Sequence, residues 1–321
     1  MMTDELVFIG NIVLLEDVPN ADFIVSATVV CGRGGKWKGI VRKAEFQEGD
    51  ACLVYLPDSL VPNDDPDLEF MKSSSYRVKM RRLRGTPSEV LIMPNRFHDL
   101  SIGFDCTSRC RVTKYHKPVA AHLQGIAKGN FPDFIPKTDE LNYQRYGDLV
   151  DALVGQPYYI TEKCDGSSTT AYRYKDNFGL CSRNLELEKN IGNGYWDVCV
   201  KHELEQKLPD DYAIQWETCG PKIQSNPMEL NEIQGFLFSG YRISEHRYLT
   251  FAELRSLSAQ LAFPMVRVLS VGNSFTKDGI ELLGEGLYDN GKQREGVVVR
   301  SQDNVYGKPI SFKVINLNYE T

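Results

Sequence analysis

A β-prone run, Tyr158-Tyr159-Ile160-Thr161, stops at Glu162-Lys163-Cys164-Asp165-Gly166, and β-prone residues resume from Thr169 to Tyr174. The pattern predicts strand, short polar corner, strand. It places a lysine and an aspartate where the backbone must turn. Lys163 and Asp165 have the same side-chain parity on an extended segment. A lysine held near carboxylates and shielded from water can serve as a nucleophile once some of it is deprotonated. A surface hairpin with a solvated Lys–Asp pair fits the same residues, so the corner does not decide alone.

The chain has 321 residues, which suggests two domains. Its 42% apolar and 25% charged content describes an ordinary soluble globular protein. No run of eighteen apolar residues suggests a membrane span, and the first residues lack the basic flank and apolar core of a signal peptide. Eight cysteines are scattered without a CxxC pair, so reduced thiols in a cytoplasmic or other reducing compartment are expected. The net charge of −6 requires any nucleic acid to be met by a local basic patch.

Short β-type runs at 6–15, 23–31, 38–42 and 51–55 are separated by turn residues, and another follows at 90–93. They predict a small N-terminal β-barrel over residues 1–112. Within it, Tyr76 to Gly85 alternates Arg77, Lys79 and Arg81 with Val78, Met80 and Arg82, and Arg84 follows. On a strand this gives one basic face suited to phosphate; a charged, solvated edge strand is the plainer reading. Residues 113–130 read as a linker with weak helical periodicity at 120–127, leaving 131–321 as the second domain.

That domain predicts a polar helix at 141–153, capped by Thr138 or Asp139, and an amphipathic helix at 195–208 with Trp196, Val200 and Leu204 on its apolar face. A helix at 252–261 should carry a capping box from Thr250 and Glu253, and 277–287 is weakly helical. Strands are expected around Arg183, at 212–218 with Glu217 near the end, at 233–243 with Phe236 and Phe238, and at 266–271. Glu295-Gly296 opens the apolar run Val297-Val298-Val299, where the glycine would let backbone approach a ligand. Ser311 and Lys313 lie opposite Phe312 on a last strand. No Walker, GxGxxG, GxSxG, HExxH or kinase motif occurs, and the five histidines do not cluster.

Taken in order, these pieces resemble the covalent nucleotidyltransferase superfamily of polynucleotide ligases and RNA capping enzymes. Lys163-Cys164-Asp165-Gly166 matches the KxDG nucleophile motif, and Ser182-Arg183-Asn184 is similar to the second motif of RNA ligases. Trp216-Glu217, Phe236-Leu237-Phe238, Glu295 to Arg300 and Ser311-Phe312-Lys313 follow in the family's order. A barrel in front, a Pro136-Lys137-Thr138-Asp139 segment, and a sequence that ends eight residues after Lys313 favour the ATP-dependent RNA ligase branch with an N-terminal OB-like domain. Two positions depart from the pattern. Ser311 stands where the fifth motif usually has a second lysine. Asn142 stands where relatives often carry an arginine, which Arg145 could replace.

The resemblance implies an α+β chain: an OB-like barrel, then an ATP-grasp-like transferase domain of antiparallel sheets flanked by helices. It implies that Lys163 attacks the α-phosphorus of ATP, that AMP passes to an RNA 5′-phosphate, and that an RNA 3′-hydroxyl then expels AMP. Asp165 and Glu295 would hold Mg²⁺ or Mn²⁺. Glu217 would bind ribose, Phe238 would stack on adenine, and Glu162, Arg183 and Lys313 would complete the nucleotide site. Arg77, Lys79, Arg81, Arg82 and Arg84 would hold the RNA backbone. A monomer with no membrane association is expected. A GTP-using capping-type enzyme, a DNA ligase and a non-catalytic RNA-binding protein with a retained transferase fold are the alternatives.

Overall fold

Two strands that look adjacent in sequence, on either side of the lysine corner, belong to different sheets. The structure is a computed structural model describing residues 5–115, 125–190 and 192–319. The chain divides into two units, Met1–Pro118 with Gln144–Asp148, and Val119–Tyr143 with Leu149–Thr321.

In the first unit, β1 (Val7–Asp17), β2 (Ile24–Cys31), β3 (Gly35–Arg42), β4 (Ala51–Tyr55) and β8 (Leu91–Pro94) form a five-stranded antiparallel sheet in the order β3-β2-β1-β4-β8. A register shift between Ile12 and Leu14 bends the long β1. β4 and most of β2 are nearly continuous buried apolar runs, whereas β3 alternates buried Trp37 and Val41 with exposed Lys36 and Arg42. Phe8, Ile12, Trp37 and Val54 pack in one cluster; Val7, Ile9, Leu53 and Tyr55 pack in another. The second cluster is closed by Leu68 and Met71 from a 3₁₀ helix, Pro66–Ser74, which Asp65 caps. The sequence reading missed this helix. Two short pairs, β5 (Ser59–Leu60) with β9 (Thr113–Lys114) and β6 (Arg81–Leu83) with β7 (Thr86–Ser88), complete the unit.

The basic stretch is therefore not one long strand. Ser75 and Tyr76 have positive φ; residues 76–78 then lie against 59–61, with Arg77 bridged to Leu60, and Arg81–Leu83 pairs separately, in a hairpin turning at Arg84-Gly85. Arg77 is committed to Asp58 at 2.6 Å and lies over the Tyr115 ring. Arg82 and Arg84 donate to the carbonyls of Gly85 and Asn20. Lys79 and Arg81 are exposed.

In the second unit, β10 (Ala127–Asn130), β12 (Ser167–Tyr174), β13 (Asn177–Ser182), β14 (Leu185–Leu187), β15 (Tyr212–Cys219), β16 (Gln234–Arg242) and β17 (Arg247–Tyr248) form a seven-stranded sheet ordered β10-β14-β13-β12-β15-β16-β17. A second sheet holds β11 (Tyr158–Glu162), β18 (Val268–Gly272), β19 (Gly296–Val305) and β20 (Lys308–Ile315), ordered β18-β11-β19-β20. All pairings are antiparallel. The Lys163 corner joins β11 of one sheet to β12 of the other, so it is a crossover and not a hairpin.

Helices α1 (Gly147–Leu153), α2 (Gly194–Lys201), α3 (Leu204–Lys207) and α4 (Phe251–Leu261) flank these sheets. In α4 both halves of the Thr250–Glu253 capping box form, and its Leu254, Leu257 and Leu261 join Trp216 in the largest core cluster. Helix α1 starts later than predicted because residues 141–143 run beside β20 instead, with Lys313 N–H donating to Leu141 and Tyr143 N–H to Lys313. The helix predicted at 195–208 breaks at Glu203, whose φ is 53°, and Val200 faces solvent while Val198 and Cys199 are buried. The weak helix at 277–287 is reduced to a 3₁₀ turn, Ile280–Leu282. In the predicted linker, residues 116–124 lie outside the described residues, and 127–130 form β10. Among the described residues no helix is long and apolar enough to cross a membrane.

Candidate active site

Lys163 leaves β11 with its N–H bonded to the Gly296 carbonyl, beside the start of β19. Its Nζ meets Glu295 Oε1 at 2.5 Å, and both side chains are largely covered. Tyr288 fastens both backbones: its hydroxyl donates to the Lys163 carbonyl at 2.9 Å and accepts from the Glu295 N–H at 3.2 Å. Burial disfavours the ammonium form of Lys163, but the carboxylates of Glu295, Glu217 and Asp165 outweigh it and hold the pKa above the ordinary lysine value. The amine is therefore charged until something offsets those carboxylates.

The turn is tight because Gly166 presses on β15. A Cβ there would sit 2.4 Å from the Thr218 carbonyl oxygen and 2.9 Å from Glu217 Cγ. Asp165 does not pair with Lys163; it accepts from the Tyr319 hydroxyl at 2.6 Å. Gly296 also differs from expectation. Its φ is 148°, and a Cβ would lie 2.2 Å from the Val314 carbonyl oxygen, so its freedom serves the β19–β20 contact.

Glu217, on β15, faces the same group of charges. Burial, and then the negative charges of Glu295 and Asp165, push it up to about 8 against the pull of Lys163. Phe236 is its cross-strand partner on β16, and Phe236 and Phe238 pack with Cys164, Cys219 and Val266. Lys313 on β20 pairs with Val298. Burial, and then the Lys163 charge, lower its pKa, with Glu295 and Glu140 opposing. Arg183 is paired with Asp139, both well exposed, and its charge is felt by Lys313.

The sheets thus divide the residue types. One carries Lys163, Glu295 and Lys313; the other carries Glu217, Phe236 and Phe238, with Arg183 at the end of β13. Comparison with known proteins gives this arrangement a lineage. The RNA ligase family matches residues 156–315, and an OB-fold domain family matches residues 6–95. The structure of Naegleria gruberi RNA ligase with pyrophosphate superposes with a TM-score of 0.79 at 29% identity, covering 98% of this chain and 97% of that one. A lysine-to-alanine variant of the same ligase with ATP and Mn has a TM-score of 0.80 at 29% identity, covering 97% of each chain. A lysine-to-methionine variant with AMP and Mn gives 0.80 at 30% identity over 97% of each chain. The chain belongs to the RNA ligase family. No curated protein matches the ligase by sequence.

Of the residues singled out in the ligase's sequence, Lys163, Asp165, Glu217, Glu295 and Lys313 come together. Glu162 does not join them. It follows Ile160 in strand parity, with Ile160 in the core, and its charged neighbours are Arg267, Arg294 and Asp289. Burial raises its pKa, and the two arginines oppose that rise. Arg145 does not stand in for the arginine missing at Asn142: it donates to the Pro57 carbonyl in the first unit. Asn142 itself bridges to Lys313.

The sequence reading missed Tyr288, Tyr319 and Glu140, and it took Thr138 for a helix cap, whereas the helix starts only at Gly147. Thr138 Oγ1 lies 2.5 Å from Ser168 Oγ. Glu140 pairs with Arg300 and accepts from Ser311 Oγ at 2.6 Å. Breaking such a buried pair one-sidedly costs about 3–5 kcal/mol. Glu140 directly follows the Pro136-Lys137-Thr138-Asp139 segment, and that position was the one signal that could have found it.

A divalent cation fits these residues only in part. Glu295 Oε2 is buried without a hydrogen-bond partner, and hard oxygen donors suit Mg²⁺ or Mn²⁺. Yet among the described residues no group of three or more His, Cys, Asp or Glu side chains is placed to hold an ion. The donor set therefore suits a hydrated ion shared with substrate phosphates.

The Glu217 shift has a measurable consequence. A carboxyl raised to about 8 binds a proton in the folded state that the unfolded chain releases near its ordinary value of 4.5. Folded stability contributed here therefore falls as pH rises from about 4.5 to about 8, then levels. Glu217→Gln should melt higher than the unliganded ligase at pH 9, by about 5 °C or more. The margin should shrink toward pH 5. Melting curves across that range would show equal margins at both ends if the carboxyl ionises normally.

Proposed function

We propose that the chain seals RNA by three nucleotidyl transfers in which Lys163 carries AMP. The observation that bears most weight is the covered amine of Lys163, 2.5 Å from Glu295 at a crossover between sheets, with the carboxyl groups of Glu217 and Asp165 as further neighbours.

In the first transfer the Lys163 Nζ–phosphorus bond forms, the bond from the α-phosphorus to pyrophosphate breaks, and the ammonium proton leaves. Glu295 Oε1 is the atom placed to hold that proton, and Oε2 would be free to help hold a hydrated cation. A bound Mg²⁺ or Mn²⁺ would offset phosphate charge and favour the neutral amine. Lys313 neutralises charge developing at the α-phosphate. Glu217 accepts from a ribose hydroxyl, and Phe238 stacks on adenine. Arg183, released from exposed Asp139, meets phosphate of the nucleotide or the receiving strand. Asp165, held by Tyr319, orients the turn and completes the acidic ring. AMP then moves to a 5′-phosphate, and a 3′-hydroxyl displaces it.

The first unit contributes backbone contact, chiefly through exposed Lys79 and Arg81, with Arg82 and Arg84 nearby. Salt should weaken it. One chain is the working unit, since every named nucleotide residue comes from residues 119–321. All eight cysteines are free and buried, which suits a reducing compartment.

The test is incubation with each nucleoside triphosphate labelled at the α-phosphate, followed by nicked and single-stranded RNA and DNA ends. ATP alone should label Lys163, and RNA 3′-hydroxyl ends should be joined to 5′-phosphates. A GMP adduct would point to capping chemistry. Equal sealing of deoxyribose 3′ ends would point to a DNA ligase, and RNA binding without an adduct to a non-catalytic protein.

A further inference from the structure

Arg300 is 4% exposed. It lies in register between Tyr159 on β11 and Ser311 on β20. Val298 and Lys313 occupy the next row of the same face, closer to the crossover. Glu140 takes one guanidinium nitrogen, and Ser311 donates to the other Glu140 oxygen. The Tyr159 hydroxyl accepts a weak hydrogen bond from the guanidinium, and Nη1 is buried with no partner in full hydrogen-bond geometry among the described residues. A buried, charged donor left unpaired is unfavourable unless a ligand supplies the acceptor.

Position says what that acceptor is. The phosphate end of the site is at Lys163, Glu295 and Lys313. Glu217 marks the ribose, and Phe238 lies further along β16. The guanidinium carbon of Arg300 is 5.7 Å from the Phe238 ring centroid. Arg300 is therefore at the far end from the phosphates, beside the ring that takes the base. A purine stacked on Phe238 turns its edge toward the guanidinium, and that edge carries unprotonated ring nitrogens. We propose that Arg300 reads the adenine base of ATP, donating from Nη1 to a ring nitrogen, while Glu140 and Ser311 fix the guanidinium for that contact. The inference rests on the proposed placement of ribose at Glu217 and base at Phe238.

The second possibility is a purely structural ion pair that ties residue 140 to the β19–β20 strands. Atomic substitution in the substrate separates the two. The wild-type enzyme would be given ATP, 1-deaza-ATP, 3-deaza-ATP and 7-deaza-ATP, each of which lacks one ring nitrogen. kcat/KM for formation of the lysine–nucleotide adduct would be measured. One analogue should lose about ten- to a hundredfold, the loss expected for a charged donor deprived of its acceptor. Arg300→Met should lose a similar factor with ATP and no longer distinguish that analogue from ATP. Ser311→Ala, which leaves the ion pair intact, should reduce the discrimination partly. Equal rates with all four nucleotides in the wild-type enzyme would overturn the proposal without any variant having to fold. A folded Arg300→Met enzyme that kept the analogue penalty would also overturn it. If the wild-type enzyme formed no adduct from ATP at all, the placement of the nucleotide would have failed, and the role of Arg300 with it.

Discussion

Replacing Lys163 with alanine is expected to remove all labelling of the protein by α-labelled ATP and to lower ATP-driven sealing by a factor on the order of 10⁴ or more. No second amine can take over. Lys313, the other lysine at the site, is anchored on β20 in the Val298 row, whereas Lys163 is fixed at the crossover by Gly296 and Tyr288. A strand supplied already carrying AMP bypasses the amine, so its sealing should fall far less. Mass spectrometry of the protein after exposure to ATP, with sealing of both kinds of strand, checks this. An AMP adduct persisting at another side chain would show that the nucleophile had been misassigned.

Glu295→Gln should be the next most damaging change. The amide preserves shape but cannot hold the ammonium proton or a hydrated cation as a carboxylate can, and adenylylation should fall about 10²–10³-fold. The pH dependence carries the sharper signature. Glu295 is the largest of the influences that raise the Lys163 pKa. Removing its charge should move the midpoint for amine deprotonation to lower pH, so the rising limb of the rate profile shifts toward acid even as its plateau drops. Single-turnover adduct formation from pH 5 to pH 10 measures both. An unchanged midpoint would mean that Glu295 does not govern the charge on Lys163.

Much of this architecture was legible because the strands are apolar and their ends carry turn residues. The 51–55 strand and the capped helix after Thr250 follow from local pattern alone. The lysine corner was legible as a turn, but not as a passage between sheets. Strand partners are set by residues far away in sequence: β11 pairs with β18 and β19, not with β12. The same remoteness hid the supports of the site. Tyr288 reaches back 125 residues and Tyr319 reaches back 154, and neither lies in a pattern that marks it. The helix predicted at 141–153 forms only from Gly147 because β20 takes the backbone groups of residues 141–143. The single basic strand failed because residues 76–78 pair with 59–61 and 81–83 with 86–88, and Arg77 found Asp58 and Tyr115 instead of solvent. Residue chemistry thus identified what the site needs, and long-range pairing decided which residues provide it.

The crossover at Lys163 has a consequence for how the enzyme comes into being. Each sheet can satisfy its own hydrogen bonds while the other is still unformed, yet neither alone holds a nucleotide. The amine and its carboxylate partner would wait on one half, and the sugar- and base-facing side chains on the other. Adduct formation during refolding would therefore date the moment the halves dock, later than the recovery of secondary structure.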